Sequence, residues 1–194
     1  MKFSALLAGV ILVSSSASAI AAGPYIGAAS GLSAFHNSDL AKGGTGEIEY
    51  EAGGAFGVTA GYDFDGIRIE GEASRKHADV DTFRQNDVSE GSMDTTIYSY
   101  MLNAYWDIKT SSRVTPYLGM GFGKLHAKMT DPSDAYKDKV FGYQFSTGIG
   151  IKLVGGLNLD LAYRYQAAAD DFSIGIYDVS YASSNFLAGV RYTF

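Results

Sequence analysis

Apolar and polar residues alternate with a period of two along most of the chain, and the pattern is clearest at the C-terminus. One face of an extended strand there would hold Phe186, Ala188, Val190, Tyr192 and Phe194, and the other face would hold Leu187, Gly189, Arg191 and Thr193. Successive side chains of a strand point to opposite faces, so one face is apolar and aromatic and the other is mostly polar. Such a strand is typical of a wall between lipid and a polar interior.

The same period divides the chain after residue 22 into about eight strands, the smallest number typical of outer-membrane barrels. The predicted strands are Tyr25–Ala34, Ala52–Phe64, Ile67–Lys76, Thr95–Asp107, Val114–Leu125, Val140–Leu153, Leu157–Gln166 and Tyr181–Phe194. No helical periodicity competes with them. The pattern predicts an all-β protein, an eight-stranded antiparallel up-and-down transmembrane β-barrel.

The connections between these strands alternate in length. Short links are expected at Asp65–Gly66, Ile108–Arg113 and Val154–Gly156, and long polar links at Phe35–Glu51, His77–Asp94, His126–Lys139 and Ala167–Ser180. Short periplasmic turns and longer outer loops are the usual asymmetry of such barrels. An even number of strands then puts both termini on the short-turn side, which predicts periplasmic termini.

The positions of charged residues decide which face meets lipid. A Lys or Arg facing lipid at mid-membrane costs about 2–4 kcal/mol, so charges that share one face of a strand must point inward. The predicted interior ionic network is Arg68, Glu70, Glu72, Lys76, Asp160, Arg164 and Arg191, with Arg164, Arg191, Glu70 and Glu72 in its middle. Asp63, Asp107 and Lys152 share the inward phase. The lumen of an eight-stranded barrel is about filled by its own side chains, so this set is expected to form a paired plug.

Other residues are assigned by the same alternation. Phe64, Trp106 and Tyr192 lie on the opposite, lipid-facing phase near the short-turn ends, where an aromatic girdle is expected. Five glycines have the inward phase and are expected to make room for the long charged side chains: Gly119, Gly121, Gly123, Gly148 and Gly150.

The N-terminus has the pattern of a secretory signal peptide over residues 1–22. Lys2 precedes an apolar core at Ala5–Val13, and small residues follow with possible cleavage after Ala19, Ala21 or Ala22, of which Ala22 is favoured. The rest of the chain, 23–194, is one predicted barrel domain.

The chain has 0 Cys, which excludes disulfides and thiolate sites. Its formal charge of −6, which becomes −7 when Lys2 leaves with the leader, argues against a nucleic-acid partner.

Three segments together resemble the porin-family outer-membrane β-barrel domain, which includes opacity-type surface proteins and the small OmpA-like and OmpX-like barrels. They are Tyr98–Trp106 (YSYMLNAYW), Thr115–Gly123 (TPYLGMGFG) and Leu159–Tyr165 (LDLAYRY). The C-terminal residues Phe186, Val190, Tyr192 and Phe194 also resemble the signal that the assembly machinery of such barrels reads. The chain stops at its eighth predicted strand, so the peptidoglycan-binding domain of some OmpA-like proteins is not carried over.

The resemblance implies an outer-membrane location in a Gram-negative bacterium. Its implied partners are outer-membrane lipid and lipopolysaccharide, and during biogenesis the barrel-assembly machinery and periplasmic chaperones. A host surface or other extracellular ligand is a further candidate, because loops on a rigid scaffold commonly carry binding function.

Three functions follow from these patterns. The first is a structural or surface-interaction barrel that acts through four outer loops without catalysis. The second is a narrow pore for small solutes or ions, favoured by the inward glycines. The third is a lipid-modifying enzyme, for which the nearest pattern is the pair His36 and Ser38. Glu70 with Glu72 could act as an acid–base pair, but ion pairing is the preferred interpretation, and no catalytic, cofactor-binding or metal-binding residue is assigned.

Overall fold

The protein is described here from a computed structural model, which covers residues 22–36, 38–39, 47–50, 53–84, 93–130, 135–174 and 177–194. The predicted signal peptide lies outside the described residues, except for Ala22. Within the described ranges the chain is all strand and turn. The strands are β1 (Gly23–Phe35), β2 (Ser38–Asp39), β3 (Glu47–Tyr50), β4 (Gly53–Asp63), β5 (Ile67–Arg84), β6 (Met93–Asp107), β7 (Val114–Thr130), β8 (Ala135–Lys152), β9 (Leu157–Ala168), β10 (Phe172–Ile174), β11 (Tyr177–Val179) and β12 (Ala182–Thr193).

Eight long strands form a closed antiparallel barrel, in the order β1, β4, β5, β6, β7, β8, β9 and β12. The barrel closes where β12 pairs with β1, with Tyr25 opposite Thr193 and Leu32 opposite Phe186. Closure removes the unpaired strand edges that would otherwise expose backbone N–H and C=O groups. The predicted eight-stranded up-and-down barrel is confirmed.

Several strands extend past their predicted ends. β5 continues to Arg84 rather than stopping at Lys76, and β7 and β8 occupy much of the predicted loop between His126 and Lys139. The prediction ended these strands where the apolar face ended. Beyond the membrane, however, both faces of a hairpin can be polar while the backbone ladder continues. Short strands also lie in two other predicted loops, where β2 pairs with β3 and β10 pairs with β11.

The short connections lie at the same end of the barrel as Gly23, where β1 begins, and Phe194. The β4–β5 turn is closed by a hydrogen bond from the Phe64 N–H to the Ile67 carbonyl, 2.8 Å. Asp65 and Gly66 adopt positive φ of 64° and 117°, as the Asp-Gly dipeptide favours. Beside the β8–β9 turn, the Thr193 N–H donates to the Gly156 carbonyl over 3.0 Å.

The outer surface is a band of apolar and aromatic side chains. Phe64, Trp106 and Tyr192, the residues expected in the aromatic girdle, all lie on it at the short-turn end and are 60%, 61% and 44% exposed. Phe64 and Tyr192 contact Tyr62 and Phe194 with ring centroids 4.7 Å and 5.2 Å apart. In the part of the chain that the structure describes, no helix is long and apolar enough to cross a membrane.

The inward glycines accommodate rings and neutral side chains more than charged ones, which corrects the expectation. A Cβ at Gly119 would collide with the Tyr105 ring, and one at Gly121 with the Asn103 amide. A Cβ at Gly148 would lie 2.6 Å from the Tyr117 hydroxyl. Gly150 alone of the five faces an ion pair, with its Cβ position 3.0 Å from an Asp160 carboxylate oxygen.

Candidate functional site: the charged interior

The middle of the barrel holds an ion pair between β9 and β5. The Arg164 guanidinium donates to a Glu72 carboxylate oxygen over 2.7 Å. It also donates to the Ser146 hydroxyl over 3.2 Å and to the Tyr105 hydroxyl over 3.3 Å. Glu72 accepts a further bond from the Asn103 amide at 3.1 Å. Charge and hydrogen-bonding capacity are therefore both matched, as a buried pair requires.

Glu70 lies beside this pair but has only uncharged hydrogen-bond partners among the described residues. It accepts from the Tyr25 hydroxyl at 2.9 Å and from the Asn103 amide at 3.2 Å, so Asn103 bridges both carboxylates. Glu70 and Glu72 are 5% and 6% exposed. Each is committed to internal partners, which favours the structural interpretation of this pair over acid–base chemistry.

A second layer of ion pairs lies nearer the short-turn end. Arg68 makes a bidentate contact with Asp107, in which the Arg68 Nε and Nη2 atoms each donate to a carboxylate oxygen over 2.9 Å. Its guanidinium lies over the rings of Tyr105 and Tyr117. The distances from the guanidinium carbon to the two ring centroids are 4.7 Å and 4.8 Å. Arginine suits such stacking because its guanidinium is planar and weakly hydrated.

Arg191 belongs to this second layer rather than to the middle one. It donates to Asp160 over 3.0 Å and lies 5.3 Å from the Tyr25 ring centroid. The structure therefore brings Arg164 together with Glu72, as the alternation suggested, but pairs Arg191 with Asp160 instead of Glu70 or Glu72. A small cavity of about 70 Å³ lies among these side chains.

Lys76 forms a third layer, toward the end with the long hairpins. Its ammonium group donates to the Gln166 side-chain carbonyl at 2.7 Å, the Ser183 hydroxyl at 3.1 Å and the Tyr181 hydroxyl at 3.3 Å. The side chain is 2% exposed. A buried ammonium is tolerated when its three donors are satisfied, and here oxygen atoms of neutral side chains satisfy them.

An apolar cluster covers the charged layers at this end of the barrel. Its buried members are Phe35, Ile97, Met101, Leu125, Ala127, Phe172 and Tyr181. Tyr181 makes edge contacts with Phe35 and Phe172, with ring centroids 5.7 Å and 6.1 Å apart. The sequence interpretation did not predict this apolar cluster, although Ile97, Leu125 and Ala127 have the inward phase of their strands. Phe172 lies in a predicted loop, and its sequence context did not distinguish packing on the barrel rim from contact with a partner.

The remaining inward-phase charges lie at the short-turn rim. Asp63 is buried and accepts a bond from the Gly66 N–H at 3.2 Å, which supports the turn. Lys152 ends β8 and is exposed. It has the expected phase, but it lies past the part of the lumen that the ion pairs fill.

His36 does contact a serine on the outer wall, but this serine is Ser184. The His36 Nε2 lies 2.9 Å from the Ser184 hydroxyl, which is also 2.9 Å from the Tyr163 hydroxyl. The side chain of Ser38 lies outside the described residues. A nucleophilic Ser–His pair also needs a group that orients the histidine, and the described contacts of His36 include no carboxylate.

The other loop candidates add no site. The segment Gly43–Gly46 and the pair Asp131 and Asp134 lie outside the described residues, as do the side chains of Asp79 and Asp81. Asp170 and Asp171 are exposed. Within the described ranges, no group of three or more His, Asp or Glu side chains is placed to hold a metal ion.

Comparison with known proteins identifies the family. Residues 3–194 match the model of the outer membrane protein β-barrel domain. The chain belongs to this family. It is therefore an integral outer-membrane β-barrel protein, and the resemblance stated from the sequence motifs is confirmed.

Individual relatives agree with this assignment. The outer membrane protein PagN of Salmonella typhimurium is 25% identical over 175 residues, which cover 71% of this chain and 72% of PagN. The crystal structure of Neisserial surface protein A has a TM-score of 0.66 at 22% identity and covers 89% of this chain and 97% of its own. Ail, the attachment invasion locus protein of Yersinia pestis, has a TM-score of 0.50 at 15% identity, with 88% and 99% covered. The two structures show that the barrel fold is shared.

Removing the buried Glu72 charge should destabilise this outer-membrane barrel strongly. Glu72→Gln preserves shape but leaves Arg164 without its anion, which costs about 3–5 kcal/mol for a buried pair. The matched control is Lys109→Gln, which breaks the exposed 2.7 Å Lys109–Asp65 bridge and should cost at most about 1 kcal/mol. Urea unfolding in lipid vesicles measures both. Equal losses of unfolding free energy in the two variants would contradict a structural role for the interior pair. The double variant Glu72→Gln/Arg164→Met should lose less unfolding free energy than the sum of its two single changes, because the two residues interact directly.

Proposed function

We propose that this protein is a closed, non-conducting barrel whose interior charges act as a structural plug and whose hairpins and loops make its contacts outside the cell. The observation that carries the proposal is the layering of the lumen. Two levels of ion pairs and the Lys76 level are stacked along the axis, and the apolar cluster around Leu125 and Phe172 lies above them. A conducting pore needs a continuous wet path, and these layers interrupt it.

The narrow-pore alternative rested on the inward glycines. The space beside Gly119 and Gly148 is taken by Tyr105 and Tyr117, and the space beside Gly121 by Asn103. These side chains fill the groove that would have carried water. The pore is thus the less supported of the two functions.

We also propose that the chain termini and short turns face the periplasm and that the long hairpins face outward. The supporting observation is the difference in length between the two ends, which other outer-membrane barrels share. Two further expectations fit this orientation. One is a leader at residues 1–22, and the other is recognition of Phe194 and its strand by the assembly machinery and periplasmic chaperones. The names of Neisserial surface protein A and the attachment invasion locus protein favour a surface role, through an extracellular ligand or host surface.

The absence of catalysis is part of the proposal. The pair His36 and Ser184 is the best candidate for lipid chemistry, because both side chains lie on the outer wall in hydrogen-bond contact. The hydrogen bond between Ser184 and Tyr163 and the 5.8 Å ring contact between His36 and Tyr165 suit an interfacial polar cluster instead.

Planar-bilayer recording tests the closed interior. We expect no reproducible conductance steps from refolded protein whose folding is verified by its heat-modifiable gel shift, with a general porin as the positive control. Ion-selective openings in the wild type that change in Glu72→Ala, but not in Lys109→Gln, would establish the transport function instead.

Single-cysteine labelling tests the orientation, since the chain has 0 Cys. Asp170→Cys lies on the β9–β10 connection and Lys109→Cys on a short turn, and both positions are exposed. A membrane-impermeant maleimide should label Asp170→Cys in intact cells and Lys109→Cys only after the outer membrane is opened. The reverse pattern would invert the proposed orientation.

A lipid analysis tests the absence of catalysis. Cells that express the wild type or Ser184→Ala should have the same outer-membrane acyl-chain profile by mass spectrometry, because neither form removes or transfers a chain. Deacylated lipid that accumulates with the wild type and disappears in both Ser184→Ala and His36→Ala would make the protein an enzyme.

A further inference from the structure

The lipid-facing wall carries a one-sided cluster of cations. Arg75, Lys124, Lys128 and Lys139 are exposed and lie on the outward phase of β5, β7 and β8. In the other half of the barrel, β1, β4, β9 and β12, the Lys and Arg residues are Arg164 and Arg191 alone, and both are buried inside. The asymmetry gives this sector of the wall a chemistry of its own.

Strand register brings the four cations together. Arg75 is opposite Tyr98, Tyr98 is opposite His126, and His126 is opposite Lys139. Adjacent strands lie about 4.8 Å apart, so this row spans about 14 Å. Lys124 and Lys128 flank His126 along β7, one on each side of the row. Among the described residues, none of the four cations forms an ion pair with a carboxylate.

The cluster extends from inside the apolar band up to the membrane interface. Lys128 lies ten residues beyond Leu118, which is opposite Trp106 of the girdle. At about 3.3 Å per residue and a tilt of about 40°, this distance is about 25 Å along the membrane normal, the height of the apolar band, whereas Lys124 lies only about 15 Å above Leu118. A cation costs little at that level, and the long stem of Lys124 can carry its charge upward to the interface.

An apolar depression begins at the cluster and runs toward the membrane centre. Its volume is about 860 Å³, and Lys124 and His126 line its upper end. Its floor is made of the small residues Ala60, Gly71 and Ala73, and its sides include Tyr100, Leu102 and Phe122. A Cβ at Gly71 would meet nothing closer than the Ala60 carbonyl oxygen at 4.0 Å, so the floor is open.

We propose that this sector binds one molecule of lipid A, the phosphorylated and acylated base of lipopolysaccharide, from the outer leaflet. Phosphate groups contact the four cations, and an acyl chain lies in the depression beneath them. The site and such a lipid have matching arrangements. The cations lie at the level of the phosphorylated headgroup, and the apolar depression lies at the level of the acyl chains. A cluster spread over three strand spacings fits a headgroup with more than one phosphate. The assignment to the outer leaflet rests on the proposed orientation of the barrel.

Retention of lipid A by purified protein in detergent tests the site independently of orientation. Wild-type protein incubated with lipid A should retain about one molecule by native mass spectrometry. Lys124→Gln/Lys139→Gln should weaken its binding about tenfold or more, because two charge-assisted contacts are lost. The matched control is Lys109→Gln/Arg113→Gln, which removes two exposed cations from the other rim and should bind like the wild type. All variants are first checked for the gel shift of the folded barrel.

A groove variant and three competitors complete the test. Gly71→Leu, which fills the floor, should reduce binding of lipid A while Lys124 and Lys139 remain in place. Phosphatidylglycerol, inorganic phosphate and a soluble sulfated saccharide should each displace lipid A poorly. Equal binding by the two double variants, or full displacement by any of the competitors, would overturn the proposal. Inverted cysteine labelling with intact lipid A binding would overturn the orientation alone.

Discussion

The structure depends first on pairing every backbone polar group of the membrane-crossing strands. Hydrocarbon offers no hydrogen-bond partner, so a strand that crosses it needs a neighbour on both edges. The chain meets this requirement by pairing each barrel strand with the next and closing β12 on β1. Closure then fixes one inner and one outer face for each strand. Near the membrane midplane the charged residues point into the lumen, and the arrangement of the interior follows from the ladder that surrounds it.

The narrow lumen makes the interior residues depend on one another. Gly119 leaves the space that the Tyr105 ring occupies, and that ring stacks on Arg68, whose charge is balanced by Asp107. A one-residue slip in the pairing of β9 would turn Arg164 toward lipid and break its contact with Glu72. The ion pairs therefore help to specify strand register, in addition to filling the lumen. Polar networks of this kind act together only when each member is satisfied.

The sequence predicted the fold well because alternation is local and each strand carries its own pattern. It could not assign ion-pair partners, since Arg164 and Glu72 are 92 residues apart and meet only through the stagger of the closed barrel. Nor could it place Phe172, whose position over the lumen depends on tertiary packing. The sequence interpretation did not find the outward cations for another reason. It applied the free-energy cost of a lipid-facing charge to whole strands, although this cost falls steeply with distance from the membrane midplane. Lys124 has the same outward phase as Phe122, and alternation alone therefore places it on the outer wall.

The two sets of charges thus call for different explanations. Each charged side chain of the interior network has an ion-pair or hydrogen-bond partner that the fold provides, so its presence follows from the structure of the barrel. The rim cations have no such partners within the described residues. Four like charges on one wall in fact repel one another weakly. Cations that no carboxylate of the described residues neutralises are available to an anionic ligand, and the outward phase of their strands places that contact on the outer wall.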